Sequence, residues 1–457
     1  MTFPDTFIWG AAAASYQIEG CTQGVDDCAD SVWDLCCRKP GFVKYGDTGF
    51  TACDHYHRYE EDVALMRQIG LNAYRLSVMW PRVLPEGIGK VNAKGLDFYD
   101  RLIDALCGAG ITPWVTLFHW DYPAALFQRG GWQHEESPLW FEEYVKVVVD
   151  CLSDRVSNWF TLNEPGCFIG LGHQAGNHAP GLKLTGRDLT QAWHNAMLAH
   201  GRAVRLIRRD SKLPNPRVGH APCFHTTIPA SESPADIEAA RRAMFEMHHR
   251  HMFYATWNLD PLLRGAYPAD AETVWGEDMP VIRDGDMELI AQELDFIGLN
   301  LYRSNIVRAG ENGELETLEY PGTHPRTFMT WPVTPDGLRW GTRFLHEAYG
   351  KPILVSENGL ALNDWVALDG KVHDPQRIDF ITRYLRGLKQ SIDEGVPVLG
   401  YFHWSIMDNF EWAEGYAPRF GLIHIDYPTQ RRTLKDSAYW YRDLIRSNGR
   451  VLGELQT

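Results

Sequence analysis

The chain has 457 residues, of which 44% are hydrophobic and 23% charged, an ordinary composition for a folded soluble protein. Its net charge of −15 argues against nucleic acid and anionic membranes as partners, because like charges repel. The first residues lack the basic and apolar segments of a signal peptide, and no apolar run approaches the roughly 18 residues of a membrane span. The odd number of cysteines, nine, favours reduced thiols, so we expect a cytoplasmic protein.

Short apolar runs recur along the whole chain. They are rich in Val, Ile, Leu and aromatic residues and are often bounded by Gly or Pro, which is typical of strands buried on both faces. The predicted strands are residues 7–12, 72–78, 112–119, 158–164, 217–222, 295–302, 352–357 and 398–405.

Longer amphipathic stretches separate these runs. In the first of them Val63, Met66 and Ile69 recur at helical spacing before a glycine, and helices often end at glycine. The predicted helices are residues 56–70, 92–110, 140–152, 189–209, 234–257, 335–349, 376–394 and 436–446.

The alternation of strands and helices predicts an α/β fold, a (β/α)8 TIM barrel, since eight such units close into one barrel. No linker divides the chain, so we expect residues 1–457 to form one catalytic domain. The connections 20–54, 165–188 and 303–334 are predicted to be elaborated loops that follow strands.

Polar and aromatic side chains gather at the carboxyl ends of the predicted strands, where barrel enzymes hold their active sites. Two of them are glutamates, Glu164 on the fourth strand and Glu357 on the seventh. The others are Arg75, His119, Trp120, Asn163, Asn300, Tyr302 and Trp404.

A pair of carboxyl groups across a barrel mouth suits the cleavage of a glycosidic bond. One must be protonated to assist the leaving oxygen, and the other must be ionised to attack the anomeric carbon. Arg75 could keep one carboxylate charged. For a retaining mechanism the carboxyl groups of Glu164 and Glu357 should lie about 5–5.5 Å apart.

Three sequence motifs carry a resemblance to a known family. Residues 161–165 read Thr-Leu-Asn-Glu-Pro, and residues 355–359 read Val-Ser-Glu-Asn-Gly. Residues 7–10 read Phe-Ile-Trp-Gly and are followed, at 15–20, by Ser-Tyr-Gln-Ile-Glu-Gly. Over nearly its whole length the chain resembles glycoside hydrolase family 1, the β-glucosidase family.

The resemblance implies a role for each strand-end residue. Glu164 would be the acid/base and Glu357 the nucleophile, oriented by Tyr302, while Arg75 supports the pair. The implied substrate-binding residues are Gln17, His119, Trp120, Asn163, Asn300, Tyr302, Trp331, Trp404, Glu411, Trp412 and Phe420. Among them, Trp404 and Trp331 would be platforms for the sugar and the aglycone. No cofactor and no metal ion is expected to be needed.

Two features of the sequence bear on the substrate. The family commonly has Trp where this chain has Gly166, which suggests a wider aglycone site unless Phe168, Phe224 or Trp331 fills the space. The family's phospho-sugar members carry a phosphate clamp where Glu411 and Trp412 stand here. Because a carboxylate repels a phosphate, free sugars are favoured.

The leading hypothesis is a retaining, exo-acting β-glucosidase that removes terminal β-D-glucosyl residues, with galactosyl and fucosyl residues left open. Its partners would be small β-glycosides and short oligosaccharides. A transglycosylase would use the same residues and differ only in the acceptor. A non-catalytic sugar-binding barrel would lack Glu164 or Glu357, and a myrosinase-like S-glycosidase would carry Gln at position 164.

Other sequence patterns give only weak indications of nucleotide binding, metal binding or thiol catalysis. Residues 170–175 resemble a dinucleotide-binding loop, but the prolines and glycines around them favour an irregular loop. His248 and His251 share one face of a predicted helix, where a polar surface is more probable than a metal site. Neither Cys37 nor Cys167 has the His/Asn arrangement of a catalytic thiol. Five N-terminal cysteines match no zinc pattern and are predicted to be small buried residues: Cys21, Cys28, Cys36, Cys37 and Cys53.

Overall fold

The computed structural model describes residues 1–454. Eight parallel strands close into a barrel in which each strand pairs with the next along the chain and the last pairs with the first. The strands are β1 (Ile8–Ala12), β2 (Ala73–Ser77), β3 (Thr112–Phe118), β4 (Asn158–Asn163), β5 (Arg217–Ala221), β6 (Phe296–Asn300), β7 (Ile353–Asn358) and β8 (Val398–Trp404). The predicted (β/α)8 fold is therefore confirmed, with strand limits within two residues of those expected.

Helices cover the outside of the barrel. Seven of the eight predicted helices are confirmed: His55–Ile69, Ala93–Gly108, Ser137–Leu152, Gly186–Asp210, Asp336–Tyr349, Pro375–Asp393 and Asp436–Arg446. Further α-helices are Ser15–Ile18, Val32–Cys37, Trp80–Val83, Ala124–Phe127, Pro234–Phe245, Ala255–Leu263, Ala269–Trp275, Asp286–Ile290 and Val451–Glu454. Short 3-10 turns are Val25–Asp27, Lys44–Gly46, Gly131–Gln133, Gly276–Asp278, Glu311–Gly313 and Trp412–Glu414.

The predicted helix over residues 234–257 was wrong, because it is two helices joined by an irregular segment, 246–254. Tertiary hydrogen bonds compete with the helix there. The Tyr254 hydroxyl accepts from the backbone N–H groups of His248 and His249 at 3.0 Å, and Asp270 accepts from that of Met247 at 2.6 Å. His248 and His251 therefore do not share a helix face.

The irregular loop predicted over residues 170–175 was also wrong. Gly166–Ala175 forms a π-helix that starts directly after the fourth strand and ends at Gly176, whose φ is 75°. Glycine reaches this left-handed conformation without steric cost. The π-helix brings Cys167 next to the end of β4.

Aromatic rings fill the interior of the barrel, as barrel interiors are filled by side chains and are not open pores. Phe160 and Phe296 lie 5.2 Å apart, and Trp114 lies 5.5 Å from Phe296 and 5.7 Å from Phe402. A Cβ at Gly10 would come within 2.4 Å of the Phe402 ring, so this ring needs glycine on the neighbouring strand. The polar strand ends thus rest on a solid apolar floor.

The connections that follow the strands carry small structures of their own. One is a three-stranded sheet of Thr226–Pro229, Ser304–Ala309 and Leu315–Leu318, and another is a hairpin of Ile423–Asp426 and Arg431–Leu434. Of the N-terminal cysteines, Cys28, Cys36 and Cys53 are buried as predicted, whereas Cys21 and Cys37 are only partly buried. None of the described helices is both long and apolar enough to cross a bilayer.

Candidate active site

A cavity of about 490 Å³ opens at the carboxyl ends of the barrel strands. Its walls contain most of the residues predicted from the sequence: His119, Trp120, Glu164, Asn300, Tyr302, Trp331, Glu357, Trp404, Glu411, Trp412 and Phe420. Three predicted residues lie behind the walls, and each hydrogen-bonds a residue that lines the cavity. Arg75 contacts Glu357, Asn163 contacts Asn300, and Gln17 contacts Glu411.

The two glutamates are almost completely buried, with 6% of Glu164 and 3% of Glu357 exposed. Glu357 lies in β7 opposite Asn300 of β6 in the sheet register. Glu164 follows β4 directly and has a φ of 49°, a conformation that non-glycine residues seldom adopt outside sites where the surroundings enforce it. Here its backbone N–H donates to the Ala221 carbonyl at 2.8 Å.

Two donors hold the Glu357 carboxylate. Arg75 donates to Oε1 at 2.5 Å, and the Tyr302 hydroxyl donates to Oε2 at 2.7 Å. Burial raises the pKa of Glu357, but the positive charge of Arg75 and these hydrogen bonds oppose the rise. Burial and the nearby carboxylates raise the pKa of Tyr302, so its hydroxyl keeps its proton and remains a donor.

Glu164 has a different environment. Burial, and then the charge of Glu357, raise its pKa to about 7. Asn300 donates to its Oε1 at 2.7 Å and also contacts the Glu357 carboxyl, so one amide lies between the two acids. Arg75 is close to Glu357 rather than Glu164, and this asymmetry favours a protonated Glu164 beside an ionised Glu357.

A hydrogen-bond network links the strand ends. Arg75 donates to the Asn163 Oδ1 at 2.6 Å, and the Asn163 amide lies 3.0 Å from the His119 Nε2. Burial, followed by the charge of Arg75, lowers the pKa of His119 well below its usual value, so the imidazole is neutral. These hydrogen bonds fix the orientation of the Asn163 and His119 side chains.

Aromatic groups wall the cavity on two sides. The His119 ring stacks on Trp404 at 5.8 Å and on Trp412 at 6.0 Å. On the other side, Tyr302 lies 5.3 Å from Trp331 and 6.1 Å from Phe420. Flat apolar walls with polar groups between them match the alternating C–H faces and hydroxyl edges of a sugar ring.

One end of the cavity carries a third carboxyl group, that of the partly buried Glu411. Gln17 donates to Asn409 at 3.0 Å and to Glu411 at 3.3 Å, while its own Oε1 has no partner among the described residues. Burial, and then the charges of Glu357 and Glu164, raise the pKa of Glu411 to about 8. Gln17 and Glu411 therefore offer an acceptor and an ionisable group to a bound hydroxyl.

The sequence as a whole matches a family model. The model described as "Glycosyl hydrolase family 1" matches residues 1–450. The chain belongs to glycosyl hydrolase family 1. β-Glucosidase A of Thermotoga maritima is 43% identical over 451 residues, which are 98% of each chain. A bifunctional β-D-glucosidase/β-D-fucosidase of Bifidobacterium breve is 39% identical over 97% of this chain and 98% of its own.

The structural comparison agrees with the sequence comparison. The structure of a Thermotoga maritima β-glucosidase in complex with glucoimidazole superposes with a TM-score of 0.89 at 43% identity. The match covers 98% of this chain and 99% of the other. This family 1 member therefore shares its overall fold with that enzyme over nearly the whole chain.

Position 166 differs from the usual family pattern, and the structure shows what lies there. A Cβ at Gly166 would be 3.1 Å from ring carbons of Phe253 and 3.2 Å from the Cys223 carbonyl. Phe253 packs against both Gly166 and Gly170 of the π-helix and lines the cavity. An aromatic ring from the segment 246–254 therefore takes part of the space that was expected to be open.

The three residues that were expected to be able to fill that space lie in different places. Phe224 and Trp331 line the cavity. Phe168 does not, because its ring packs on Phe118 at 5.0 Å and on Trp132 at 5.7 Å. Phe253 was not foreseen, since the sequence predicted a helix there.

Several residues of this family 1 cavity were missed by the sequence analysis: Cys167, Leu171, His178, Cys223, His225, Phe253, Leu301, Arg303, Met329, Ala413 and Glu414. Cys223 follows β5 within three residues of its end, so the strand-end criterion used for the other strands could have found it. Arg303 and Met329 belong to a long connection, where no local pattern indicates orientation.

Proposed function

We propose that this family 1 enzyme is a retaining, exo-acting β-glucosidase. The observation that carries the proposal is the asymmetry of its two buried glutamates, one beside Arg75 and Tyr302 and the other beside Asn300. The names of the relatives support glucosides as substrates, and one of them includes fucosides.

In the first half-reaction Glu357 would attack the anomeric carbon while Glu164 protonates the leaving oxygen. Arg75 and Tyr302 stabilise the negative charge of the Glu357 carboxylate and fix its orientation, so Glu357 stays ionised and ready to attack. A pKa of about 7 lets Glu164 carry the proton near neutral pH. The products of this step are the free aglycone and a glycosyl ester on Glu357.

In the second half-reaction Glu164, now ionised, would accept a proton from water. The water attacks the anomeric carbon from the side that the aglycone has left, and Glu357 is the leaving group. Because each displacement inverts the configuration, the net result is retention. Asn163, Arg75's neighbour, would hold the 2-hydroxyl, whose hydrogen bond strengthens in the transition state.

The remaining residues would define the glycone. Gln17 and Glu411 would bind hydroxyls at the far end of the sugar, with Trp404 beneath the ring and Trp412 and Phe420 at its edge. Trp331 would border the aglycone, and Trp120 would border the glycone. A site that ends at Gln17 and Glu411 admits only a terminal residue, which is the reason for proposing exo action.

We extend the proposal to the whole chain. Residues 1–457 would act as one catalytic domain on small β-glycosides and short β-linked oligosaccharides in the cytoplasm. The support for this location is the set of nine cysteines, all of which are free thiols in the structure.

The test combines substrates with product analysis. Nitrophenyl β-glucoside, β-galactoside and β-fucoside would be compared by kcat/KM, and the first product anomer would be followed by proton NMR. We expect the glucoside to be cleaved efficiently and the β-anomer to appear first. Initial release of the α-anomer would refute retention, and cleavage of internal bonds in a long β-glucan would refute exo action. Added alcohol acceptors would reveal a transglycosylase as glycoside products in place of free sugar.

A further inference from the structure

Two cysteines lie beside the proposed acid/base residue. Cys167 occupies the first turn of the π-helix, three residues after Glu164, and Cys223 lies two residues beyond the end of β5. Since β4 and β5 are neighbours in the barrel, their carboxyl ends bring both residues to the same edge of the cavity. The two Sγ atoms are 3.4 Å apart.

The Glu164 carboxyl completes the group. The Cys167 thiol donates a hydrogen bond to it, and one ligand atom from each of Glu164, Cys167 and Cys223 lies within 4.8 Å of the other two. All three residues line the open cavity, so an ion has a path to them. Two sulfurs and one oxygen are a ligand set suited to zinc and other thiophilic cations.

We propose that Glu164, Cys167 and Cys223 form a binding site for a thiophilic divalent cation such as Zn²⁺. The cation would have three protein ligands and a fourth position open towards the cavity, where water could bind. On binding, each thiol and the protonated Glu164 carboxyl give up their protons to solvent, and each sulfur and one carboxylate oxygen form a bond to the metal, with no change of oxidation state.

The geometry favours a metal over a disulfide. Zinc–sulfur bonds of about 2.3 Å at tetrahedral angles place two sulfurs about 3.8 Å apart, so the present spacing must widen by a few tenths of an ångström. A disulfide requires about 2.05 Å, and closing to that length needs a movement of more than an ångström.

The protonation state of the two thiols also disfavours a disulfide. The hydrogen bond to Cys223, followed by burial, raises the pKa of Cys167 far above its usual value, and burial raises that of Cys223 to about 11. Neutral thiols are poor nucleophiles for oxidation or disulfide exchange. A cation, in contrast, is attracted by the ionised carboxylate of Glu357, which lines the same cavity, and it displaces the protons of its ligands as it binds.

Metal binding has a functional consequence that rests on the proposed role of Glu164. A carboxylate that ligates zinc cannot carry the proton for the leaving group, and the cation would also occupy the aglycone side of the cavity. Zinc is therefore expected to inhibit hydrolysis, whereas binding itself does not depend on the catalytic assignment.

The experiment measures binding and inhibition separately on the full-length enzyme, stripped of metals and kept reduced with a phosphine. Zinc affinity would be measured by competition with a chromogenic chelator, and Co²⁺ would serve as a spectroscopic probe for thiolate ligation. The variants are Cys223→Ser, Cys223→Ala and Cys167→Ser, each compared with its own metal-free activity. Cys21→Ser is the matched control, since Cys21, Asp54 and His57 form the other group that could hold a metal among the described residues.

We expect one zinc ion to bind with thiolate-to-cobalt charge transfer in the Co²⁺ form, and activity to fall in step with occupancy and return with EDTA. Loss of an outer-shell partner already costs about 10–100-fold in affinity, so loss of a ligand in Cys223→Ser should cost at least about 100-fold. Unchanged affinity in both Cys223 variants, or loss of affinity in Cys21→Ser instead, would overturn the site. Cysteine-dependent binding without inhibition would uphold the site and count against Glu164 as the acid.

Discussion

At the scale of single residues, the environment of each glutamate assigns its chemistry. Arg75 and Tyr302 hydrogen-bond Glu357, whereas no cation of the described residues 1–454 hydrogen-bonds Glu164. Since the two carboxyl groups interact, protonation of one favours ionisation of the other. This division of roles leads to two predictions.

The first concerns the nucleophile. Glu357→Ala should lower kcat by at least about 10⁴-fold, because no other group can form the glycosyl intermediate. Azide should restore activity by entering the vacated space and should yield an α-glycosyl azide, identified by NMR. Glu411→Ala is the control, since it removes another carboxyl of the same cavity and should not be rescued. A β-configured azide product would show that Glu357 is not the nucleophile.

The second prediction concerns pH. Because Glu164 must be protonated in the first step, kcat/KM should fall as the pH rises through about 7, the pKa of this carboxyl. With a dinitrophenyl glucoside, which needs no proton for its leaving group, Glu164→Gln should retain much of its kcat/KM and lose this alkaline limb.

A second acid of the cavity, Glu411, provides the control for that experiment. The pKa of Glu411 is raised to about 8, so this group could also produce an alkaline limb. Glu411→Gln should weaken substrate binding yet keep the limb near pH 7. If the limb disappeared in Glu411→Gln and persisted in Glu164→Gln, the ionisation would belong to Glu411.

At the scale of elements, the π-helix after β4 and the segment 246–254 shape the aglycone side together. Gly166 and Gly170 lie on the face of the π-helix that receives the Phe253 ring. Because a Cβ at either glycine would be 3.1–3.2 Å from that ring, a large side chain there competes with Phe253 for one space.

Exchanging the side-chain sizes at positions 166 and 253 tests whether the two residues share one space. Gly166→Trp alone should destabilise the enzyme by about 1–3 kcal/mol through overpacking, and Gly166→Trp combined with Phe253→Ala should recover part of that loss. Phe253→Ala alone should weaken product inhibition by glucose by about tenfold if the ring is a stacking surface. Phe168→Leu is the control, because Phe168 lies outside the cavity and should leave glucose inhibition unchanged. Additive stability changes in the double variant would show that the two side chains do not share the space.

The loop after β8 depends on a buried ionic cluster. Asp408 accepts hydrogen bonds from Lys435 and Arg419 at 2.7 Å, and Arg377 binds the Leu360 and Phe420 carbonyls. Although burial alone would raise it, the charges of Lys435 and Arg419 lower the pKa of Asp408 to about 2. The cluster thus anchors the chain on both sides of Glu411.

Asp408→Asn should lower the free energy of unfolding by about 3–5 kcal/mol near neutral pH, since it removes the carboxylate that pairs with Arg419 and one of the two that pair with the buried Lys435. The pKa of Asp408 is depressed in the folded state, so its contribution is complete above the ordinary value of about 4 and is lost as the pH falls towards 2. The difference between wild type and variant in urea denaturation should therefore shrink with acid. Asp393→Asn, at an exposed ion pair, is the control and should cost less than about 1 kcal/mol. Equal losses in both variants would contradict the role of the cluster.

At the scale of the whole molecule, barrel closure brings residues from the ends of β3 to β8 to one cavity above an apolar floor, with Arg75 of β2 directly behind its wall. In the proposed mechanism the acid, the nucleophile and the donors that stabilise charge all come from this chain. Prolonged dialysis against EDTA should therefore leave hydrolysis unchanged, or raise it if zinc had been bound. A loss of activity that a divalent cation restores would show that catalysis needs a metal.

The sequence by itself determined the barrel and most of its active site. Strand and helix limits follow from apolar periodicity and from glycine and proline near the ends, which are local properties. Polar residues at the strand ends could be assigned to one site, because parallel strands in a barrel all end on the same side. The motifs around Glu164 and Glu357 identified the family, and the comparisons confirmed it.

Tertiary structure alone decided the features that depend on residues far apart in the chain. The helix predicted over 234–257 is interrupted because Tyr254 and Asp270 capture backbone N–H groups, and no local pattern reveals such partners. That interruption places Phe253 against Gly166, 87 positions away by subtraction of the residue numbers. Cys223 meets Cys167 because β4 and β5 are neighbours, while the pKa of Glu164 depends on burial and on Glu357. Packing and desolvation act through space, so they become defined only when the barrel has closed.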